Sequence, residues 1–254
     1  MQSLSVVVVC KNGAGFISNL LKNLEGLTDD IVLYDTGSTD ATLEIARRFP
    51  VKIYEGPWEG FGKTKQKSTL LAGYDWILSI DADESLDDEL KQSLLGLQLN
   101  QENAVFSIRR KNFLGNRLVR FGEWGTDTQN RLFNRREVQW DDAEVHEKLV
   151  LPPGMRIKKL EGFLLHKTMI NMVDFSEKTM RYALLSADKY FRTGKKTNML
   201  IIRLAPIFTF VKYYFFRLGF LDGYTGYICA KMNAYYTFLK YARLRDLEQQ
   251  KEMP

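Results

Sequence analysis

Three acids, Asp81, Asp83 and Glu84, close the apolar run Trp76–Ile80. Open α/β sheets place ligand sites at the carboxyl ends of buried strands, and a run of this kind reads as such a strand. Asp-x-Asp puts two carboxylates on one side of a short extended turn, spaced to share a divalent cation. Two hard oxygen ligands with few others nearby suit Mg²⁺ or Mn²⁺, ions that keep waters and also bind substrate phosphates. Such an ion neutralises a departing diphosphate. The plainer alternative is that the acids only end a strand or cap a helix expected over Leu86–Leu99.

Other residues are candidates for the same chemistry. The stretch from Asp35 to Thr42 holds Gly37, Ser38, Thr39 and Asp40. A carboxylate at a strand end can accept the N–H of a nucleobase or a ribose hydroxyl, while Ser38 or Asp40 can cap the next helix; a capped turn alone would also explain the pattern. Lys11, Lys63, Lys65 and Lys67 flank these acids in sequence. Lysines serve phosphates as point charges, although single lysines are usually solvated surface. The two histidines of the chain are His146, inside Val145-His146-Glu147, and His166. An acid beside a histidine is a candidate general base or third metal ligand, and the sequence leaves both roles open. Trp124-Gly125-Thr126-Asp127 offers a further acid.

The elements that must position these residues follow from periodicity. Leu4–Cys10 is a β-branched run that predicts a strand buried on both faces. A turn follows at Lys11–Gly15, and helical spacing at Phe16, Ile17, Leu20, Leu21, Leu24 and Leu27. Strands at Ile31–Tyr34, Val51–Tyr54 and Trp76–Ile80 alternate with helical stretches at Ala41–Phe49 and Gly60–Ala72. This alternation predicts a parallel, doubly wound α/β layer whose strand ends bring Lys11-Asn12, Asp35–Asp40 and Asp81–Glu84 to one edge. Short strand-like pieces at 104–110, 117–121, 130–134 and 138–140, with another in 155–165, read as mixed or antiparallel additions. A helix is expected over Val173–Thr193, with Phe175, Met180, Leu184, Ala187, Tyr190 and Phe191 on its apolar face. Beyond it, Pro206 and Gly219, Gly223 and Gly226 should break the Phe/Tyr/Leu-rich tail into shorter helices.

Bulk composition fits a folded protein: 254 residues, 45% hydrophobic and 26% charged, with a net charge of +5 and a pI near 9.0. The positive excess is local. Lys195–Pro254 carries ten Lys/Arg against four Asp/Glu, and the remainder 26 against 27. A local basic excess suggests a polyanionic partner such as nucleic acid or an anionic membrane surface. Two distant cysteines, Cys10 and Cys229, make no disulfide framework and fit a reducing compartment. The N-terminal residues lack a basic region and a cleavage site, so no signal peptide is expected. No uninterrupted apolar run reaches the roughly 18–20 residues of a membrane span.

Taken in order, these motifs resemble the family 2 glycosyltransferases of the inverting GT-A type. The residues that carry the resemblance are Lys11-Asn12, Asp35-x-Gly37-Ser38-Thr39-Asp40-x-Thr42, Trp58-Glu59-Gly60-Phe61-Gly62 and Asp75 to Glu84. Arg131-Leu132-Phe133, Val145-His146-Glu147 and Arg217 to Gly223 resemble the branch that includes lipopolysaccharide-core β-glucosyltransferases. The similarity runs from about Ser5 to Leu244. It implies an α/β chain with the GT-A (nucleotide-diphospho-sugar transferase) fold: a mixed, mostly parallel sheet flanked by helices, with a C-terminal amphipathic helical extension. The implied division is a catalytic domain over 1–170 and a helical, membrane-associating region over 171–254. Donor contacts would come from Lys11, Asn12, Asp35, Ser38, Asp40, Lys65, Gln66, Asp81 and Ala82, with Asp35 on the base of a UDP-sugar. Asp81 and Asp83 would hold the diphosphate through Mn²⁺ or Mg²⁺, with His146 or His166 as a further metal or acceptor-site residue. Asp127 lies where such enzymes often carry the catalytic base, and Glu147 is its rival. The chain departs from the family pattern at Gly13-Ala14-Gly15, where acids usually follow the Asn, and at Lys65-Gln66, where Lys-Asn is common.

The expected reaction is a single displacement that inverts the anomeric carbon, moving a hexose, with glucose favoured, from a nucleotide sugar to a hydroxyl of a glycolipid acceptor. The basic, aromatic tail suits the headgroup interface of an anionic bilayer, so peripheral attachment to the inner face of the bacterial cytoplasmic membrane is expected; core packing is the alternative. A polyprenyl-phosphate glycosyltransferase is a competing reading. A sugar nucleotidyltransferase would want a Gly-rich, Arg-containing loop after the first strand, which is missing. A non-catalytic nucleic-acid or membrane binder would explain the tail but leave the acidic cluster without a task, so no nucleic-acid partner is expected.

Overall fold

The computed structural model of the chain describes residues 3–99, 103–144 and 147–252. It comprises two compact units, Met1–Arg110 with Thr128–His166, and Lys111–Asp127 with Lys167–Pro254.

The first unit begins with β1 (Leu4–Cys10), α1 (Ile17–Leu24), β2 (Asp30–Asp35), α2 (Thr42–Ala46), β3 (Lys52–Glu55), α3 (Phe61–Leu70) and β4 (Trp76–Asp81). The sheet path runs β3-β2-β1-β4 with parallel pairing throughout. Both faces of β1 are covered, which is why its sequence is continuously apolar. Val6, Val8 and Cys10 pack with Ile17, Leu20, Leu21 and Leu24 of α1, while Val7 packs with Val32, Ile77 and Phe133. Register places Cys10 beside Asp35 and Val9 beside Asp81, so the three strand ends line one edge as the alternation predicts.

After β4 the chain departs from expectation. The helix expected over Leu86–Leu99 is shorter: Glu84–Leu86 forms a short strand, β5, and α4 is confined to Asp88–Leu95. The helix is capped by Asp87, whose side chain accepts the Leu90 N–H, so the acids at 81–84 are not its cap. β6 (Ala104–Leu114) and β7 (Arg117–Val119) form an antiparallel pair. β8 (Thr128–Asn134) runs antiparallel between β4 and β6. β9 (Gln139–Trp140) and β10 (Leu149–Val150) make a separate two-stranded ladder. β11 (Arg156–Met169) neighbours β6 and pairs antiparallel with β5.

The second unit holds the helical tail together with 111–127. Asp222 accepts the backbone N–H groups of Arg120 and Phe121, and Gly122 donates to the carbonyl of Arg217, which ties that excursion to the helices. α5 (Met172–Arg192) is capped by Asn171 and buries Phe175, Thr179, Ala183, Ser186 and Ala187. The buried stripe thus lies about one position away from the expected one: Met180 and Leu184 are exposed. α6 (Met199–Val211) continues through Pro206 into the π-helical Lys212–Phe216. A 3₁₀ turn at Gly219–Asp222 leads into α7 (Gly223–Glu252), a helix of 30 residues, so the expected break at Gly219 and Gly223 is present and the one at Gly226 is not. Packing overrides propensity here. α7 lies against both α5 and α6, with Tyr236 donating to Ser186 and the Thr209 and Thr237 hydroxyls 3.2 Å apart.

No uninterrupted apolar run reaches the length of a span, but one stretch interrupted by Arg203 and Lys212 comes close. Met199–Phe216 is long and apolar enough to cross a membrane by length and composition, with a mean hydropathy of 1.5 over 18 residues and only 6% of them buried.

Candidate active site

Asp81 is the last residue of β4, and its carboxylate lies between two cations. Arg131 Nη2 is 2.5 Å from Oδ2 and Lys65 Nζ is 2.9 Å from Oδ1. Arg131 comes from β8, whose pairing with β4 brings it across. Lys65 comes from α3, which fits closely on the segment after β9. Gly62 donates its N–H to the Ala143 carbonyl, and a Cβ there would lie 1.9 Å from the Asp141 carbonyl oxygen. Burial opposes the charge on Asp81, but Arg131 and Lys65 outweigh it and hold the carboxyl well below the usual carboxylate range. Burial likewise opposes the charge on Arg131, and Asp81 with Glu84 reverses that and pushes the guanidinium above its ordinary value.

Glu84 is the hidden member of the group. It is fully buried, takes Arg131 at 3.2 Å and Arg110 at 3.1 Å on Oε1, and accepts the Asp81 backbone N–H on Oε2. Glu147 completes the arrangement at 2.7 Å from Lys65 Nζ, which also lies over the Trp140 ring. Three carboxylates (Asp81, Glu84, Glu147) therefore interleave with three cations (Lys65, Arg110, Arg131). Burial in opposite-sign pairs with added hydrogen bonds is the condition under which such charges persist.

Asp83 has a different environment. The antiparallel register of β5 and β11 sets His166 opposite Glu84, and His166 Nε2 is 3.5 Å from Asp83 Oδ1. Asp81 is engaged on both oxygens by protein cations, whereas Asp83 faces an imidazole. Among the described residues no group of three or more His, Cys, Asp or Glu side chains is arranged to hold a metal ion. Asp83 with His166 still fits Mg²⁺ or Mn²⁺, since these ions take one or two protein ligands and complete their shell with water and phosphate. His146 lies outside the described residues.

The family model for "Glycosyl transferase family 2" matches residues 5–161, a span that contains every residue placed so far except His166. The chain belongs to glycosyl transferase family 2. It is an enzyme with the GT-A fold. Among its relatives, the lipopolysaccharide core biosynthesis glycosyltransferase LpsC of Rhizobium meliloti is 28% identical over 262 residues, covering 99% of this chain and 95% of that one. An uncharacterized glycosyltransferase of Rickettsia prowazekii, RP128, is 24% identical over 97% of this chain and 88% of its own. The crystal structure of S. aureus TarS 1–349 in complex with UDP-GlcNAc matches with a TM-score of 0.51 at 15% identity, covering 99% of this chain and 92% of that one, a likeness of fold.

Within this glycosyltransferase the remaining candidates fall into two groups. Asp35 is fully buried in its own turn. Its Oδ1 accepts the N–H groups of Gly37 and Ser38, and its Oδ2 the Ser38 hydroxyl. Ser38 accepts the Asn12 N–H, Asn12 accepts the Thr39 N–H, and Asp40 accepts from Thr42 and Ala14. These side chains knit the loops after β1 and β2 together. The Thr42 hydroxyl is the largest influence that lowers the Asp40 carboxyl. Lys11 and Lys63 are exposed and Lys67 pairs with Glu59 at the surface, so of the four lysines Lys65 is the buried one. Gln66 accepts the Trp140 N–H and anchors β9, and Ala82 is a half-buried turn residue packed on the core.

Asp127 belongs to the second unit. It follows the 3₁₀ turn Trp124–Thr126, and its Oδ2 accepts from Nδ2 of the buried Asn112 at 3.3 Å; the same amide donates to the Trp124 carbonyl. Arg131, Arg110 and the buried Glu84 had no assigned task in the sequence. The one available signal was the Arg131-Leu132-Phe133 motif: a charged residue inside an apolar strand must meet a counter-charge.

Proposed function

We propose that this enzyme moves a hexose, with glucose as the favoured sugar, from a UDP-sugar to a hydroxyl of a glycolipid acceptor in lipopolysaccharide core or other cell-surface glycan biosynthesis. The similarity to LpsC along nearly the whole of both chains supports the acceptor class. The observation that carries the donor site is the row of strand ends, where Lys65 and Arg131 flank Asp81 and Asp83 faces His166. Cations at that edge complement a nucleoside diphosphate, and Asp35 offers the base a buried carboxylate. Asp83 and His166 would hold a divalent ion, Mn²⁺ or Mg²⁺, which when bound supplies Lewis-acid neutralisation of the leaving diphosphate. In this reading Asp81 orients Lys65 and Arg131.

The acceptor hydroxyl attacks the anomeric carbon from the face opposite the diphosphate, the carbon–oxygen bond to the diphosphate breaks, and an α-linked donor gives a β-linked product. Asp127 takes the hydroxyl proton. Glu147 is disfavoured for that role because its Oε1 is already the acceptor for Lys65.

The same reading places the second unit at a membrane. On α6 and its π-helical continuation Leu200, Leu204, Ile207, Phe208, Phe215 and Phe216 are exposed, a helical stripe on one side. Lys and Arg across the tail would meet anionic headgroups of the cytoplasmic leaflet. This stripe also suits a polyprenyl-phosphate acceptor, and the product separates the two: a single sugar extracted with the polyprenyl lipid, or an extended core glycolipid.

A thermal-shift screen of nucleotide sugars with and without Mn²⁺ tests the donor site. Stabilisation by UDP-sugars that grows with Mn²⁺ is expected. No shift with any nucleotide sugar would sink the proposal.

A further inference from the structure

The stretch Arg217–Gly223, part of the family resemblance, has no task in the mechanism above. Its geometry is specific. Leu218 adopts φ +58° and Gly223 φ +57°, so the chain reverses sharply at both ends of the 3₁₀ turn. Inside the turn the backbone packs closely on α7, since a Cβ on Gly226 would lie 1.8 Å from the Gly219 carbonyl oxygen. The result is a carboxylate, Asp222, held at the start of α7.

That carboxylate reaches back about a hundred residues along the chain. One oxygen, Oδ2, accepts the N–H groups of Arg120 and Phe121, each at 2.8 Å. Neighbouring tethers reinforce the contact. The Gly122 N–H donates to the Arg217 carbonyl at 2.9 Å, and the Tyr213 hydroxyl donates to Glu123 Oε1 at 3.2 Å. The segment so held, Arg120–Glu123, runs directly into the 3₁₀ turn and Asp127. That turn is fixed in its own right by Asn112 and by the Trp124 ring, 5.3 Å from Phe175.

We propose that Asp222 is a positioning residue for Asp127, and that the Arg217–Gly223 turn exists to present it. This rests on the reading of Asp127 as the base. Backbone N–H groups held by a carboxylate make stronger hydrogen bonds than those to a neutral acceptor, so the tether is stiff. Small misplacements caused far from the reacting atoms can cost about 100-fold in rate.

The test compares full-length Asp222→Ala and Asp222→Asn with the parent protein. Peptide-resolved hydrogen exchange over 120–127 is read without substrate. Turnover is read as UDP release from UDP-glucose with lipopolysaccharide core oligosaccharide. Asp222→Ala should speed exchange across 120–127 and lower kcat by about tenfold or more, with KM for UDP-glucose within about twofold. Asp222→Asn keeps an oxygen for both N–H groups without the charge, and should give exchange and kcat between those of the parent and of Asp222→Ala. If the alanine variant does not fold, Asp222→Ser, too short to span both donors, carries the same expectation. Unchanged exchange overturns the proposal whatever the substrates are, and so does faster exchange with unchanged kcat. Asp127→Asn separates the two readings: full turnover there removes the base assignment, while the exchange result still judges the tether.

Discussion

Asp81 and Asp127, one in each unit, are held in opposite ways. Asp81 is gripped by a guanidinium at 2.5 Å and an ammonium at 2.9 Å. Asp127 accepts from a neutral amide at 3.3 Å, on a segment tied down by backbone hydrogen bonds. Pairing with two cations makes a carboxylate a fixed electrostatic post and a poor proton acceptor. In the proposed mechanism Asp81 orients the cations beside the leaving group and Asp127 takes the proton.

The sharpest way to break this contrast is to exchange the roles. Asp127→Asn is expected to lower kcat by about 10²–10⁴-fold while UDP-sugar binding, followed by thermal shift, stays near the parent value. If Glu147→Gln shows the larger kcat loss and Asp127→Asn none, the contrast is reversed.

Next in size is the cost of leaving the first unit's charges unpaired. Arg131→Ala leaves the buried Glu84 with Arg110 alone and should destabilise the fold by about 3–5 kcal/mol, measured by urea unfolding. The Asp83→Asn change, on a more exposed carboxylate, should leave stability within about 0.5 kcal/mol and remove Mn²⁺-dependent stabilisation by UDP. A Mn²⁺ response that survives would move the metal away from Asp83.

The second unit predicts a surface effect. Leu204→Ser with Phe208→Ser removes two exposed apolar side chains from α6, and binding to anionic vesicles in sedimentation should fall by about tenfold or more. Unchanged binding would assign the attachment to other residues.

The smallest effect is acid dependence. The Asp81 carboxyl is depressed in the folded state, so its contribution is complete above the ordinary carboxylate range near pH 3.9 and is lost as pH falls through its lower folded value. The stability gap between the parent and Asp81→Asn should therefore be flat from pH 7 to about pH 4 and close only below it. A gap already closing at pH 6 would contradict the pairing.

Much of the first unit was legible. The apolar runs of β1, β2 and β4 marked buried parallel strands, and alternation with helices fixed which ends would meet. Less was legible about how the acids divide. The Asp81-Ala82-Asp83 spacing is a local property and says nothing of which side chains each carboxylate meets. The partners that separate the two lie far along the chain: Arg131 is 50 residues on, and His166 reaches Asp83 only because β11 pairs with β5. Glu84 read as part of an acidic cluster, and only the fold shows it buried between two arginines.

In the tail the break expected at Gly219 and Gly223 is present, and those at Pro206 and Gly226 are not. Gly226 and Pro206 argued for short helices, since local propensity penalises both in helix interiors. Contacts of α7 with α5 and α6 outweigh that penalty, and Gly226 is where the backbone must come close.

By itself the sequence determined the α/β layer, the row of strand ends, the family and the residue types available for chemistry, because periodicity and short motifs are properties of neighbouring residues. Only the tertiary structure decided which charge meets which. It gave Asp81 to Arg131 and Lys65, Asp83 to His166, and the N–H groups before Asp127 to Asp222. The reason is that an ion pair or hydrogen bond acts over about 3 Å in space, and its partners can stand a hundred residues apart in the chain.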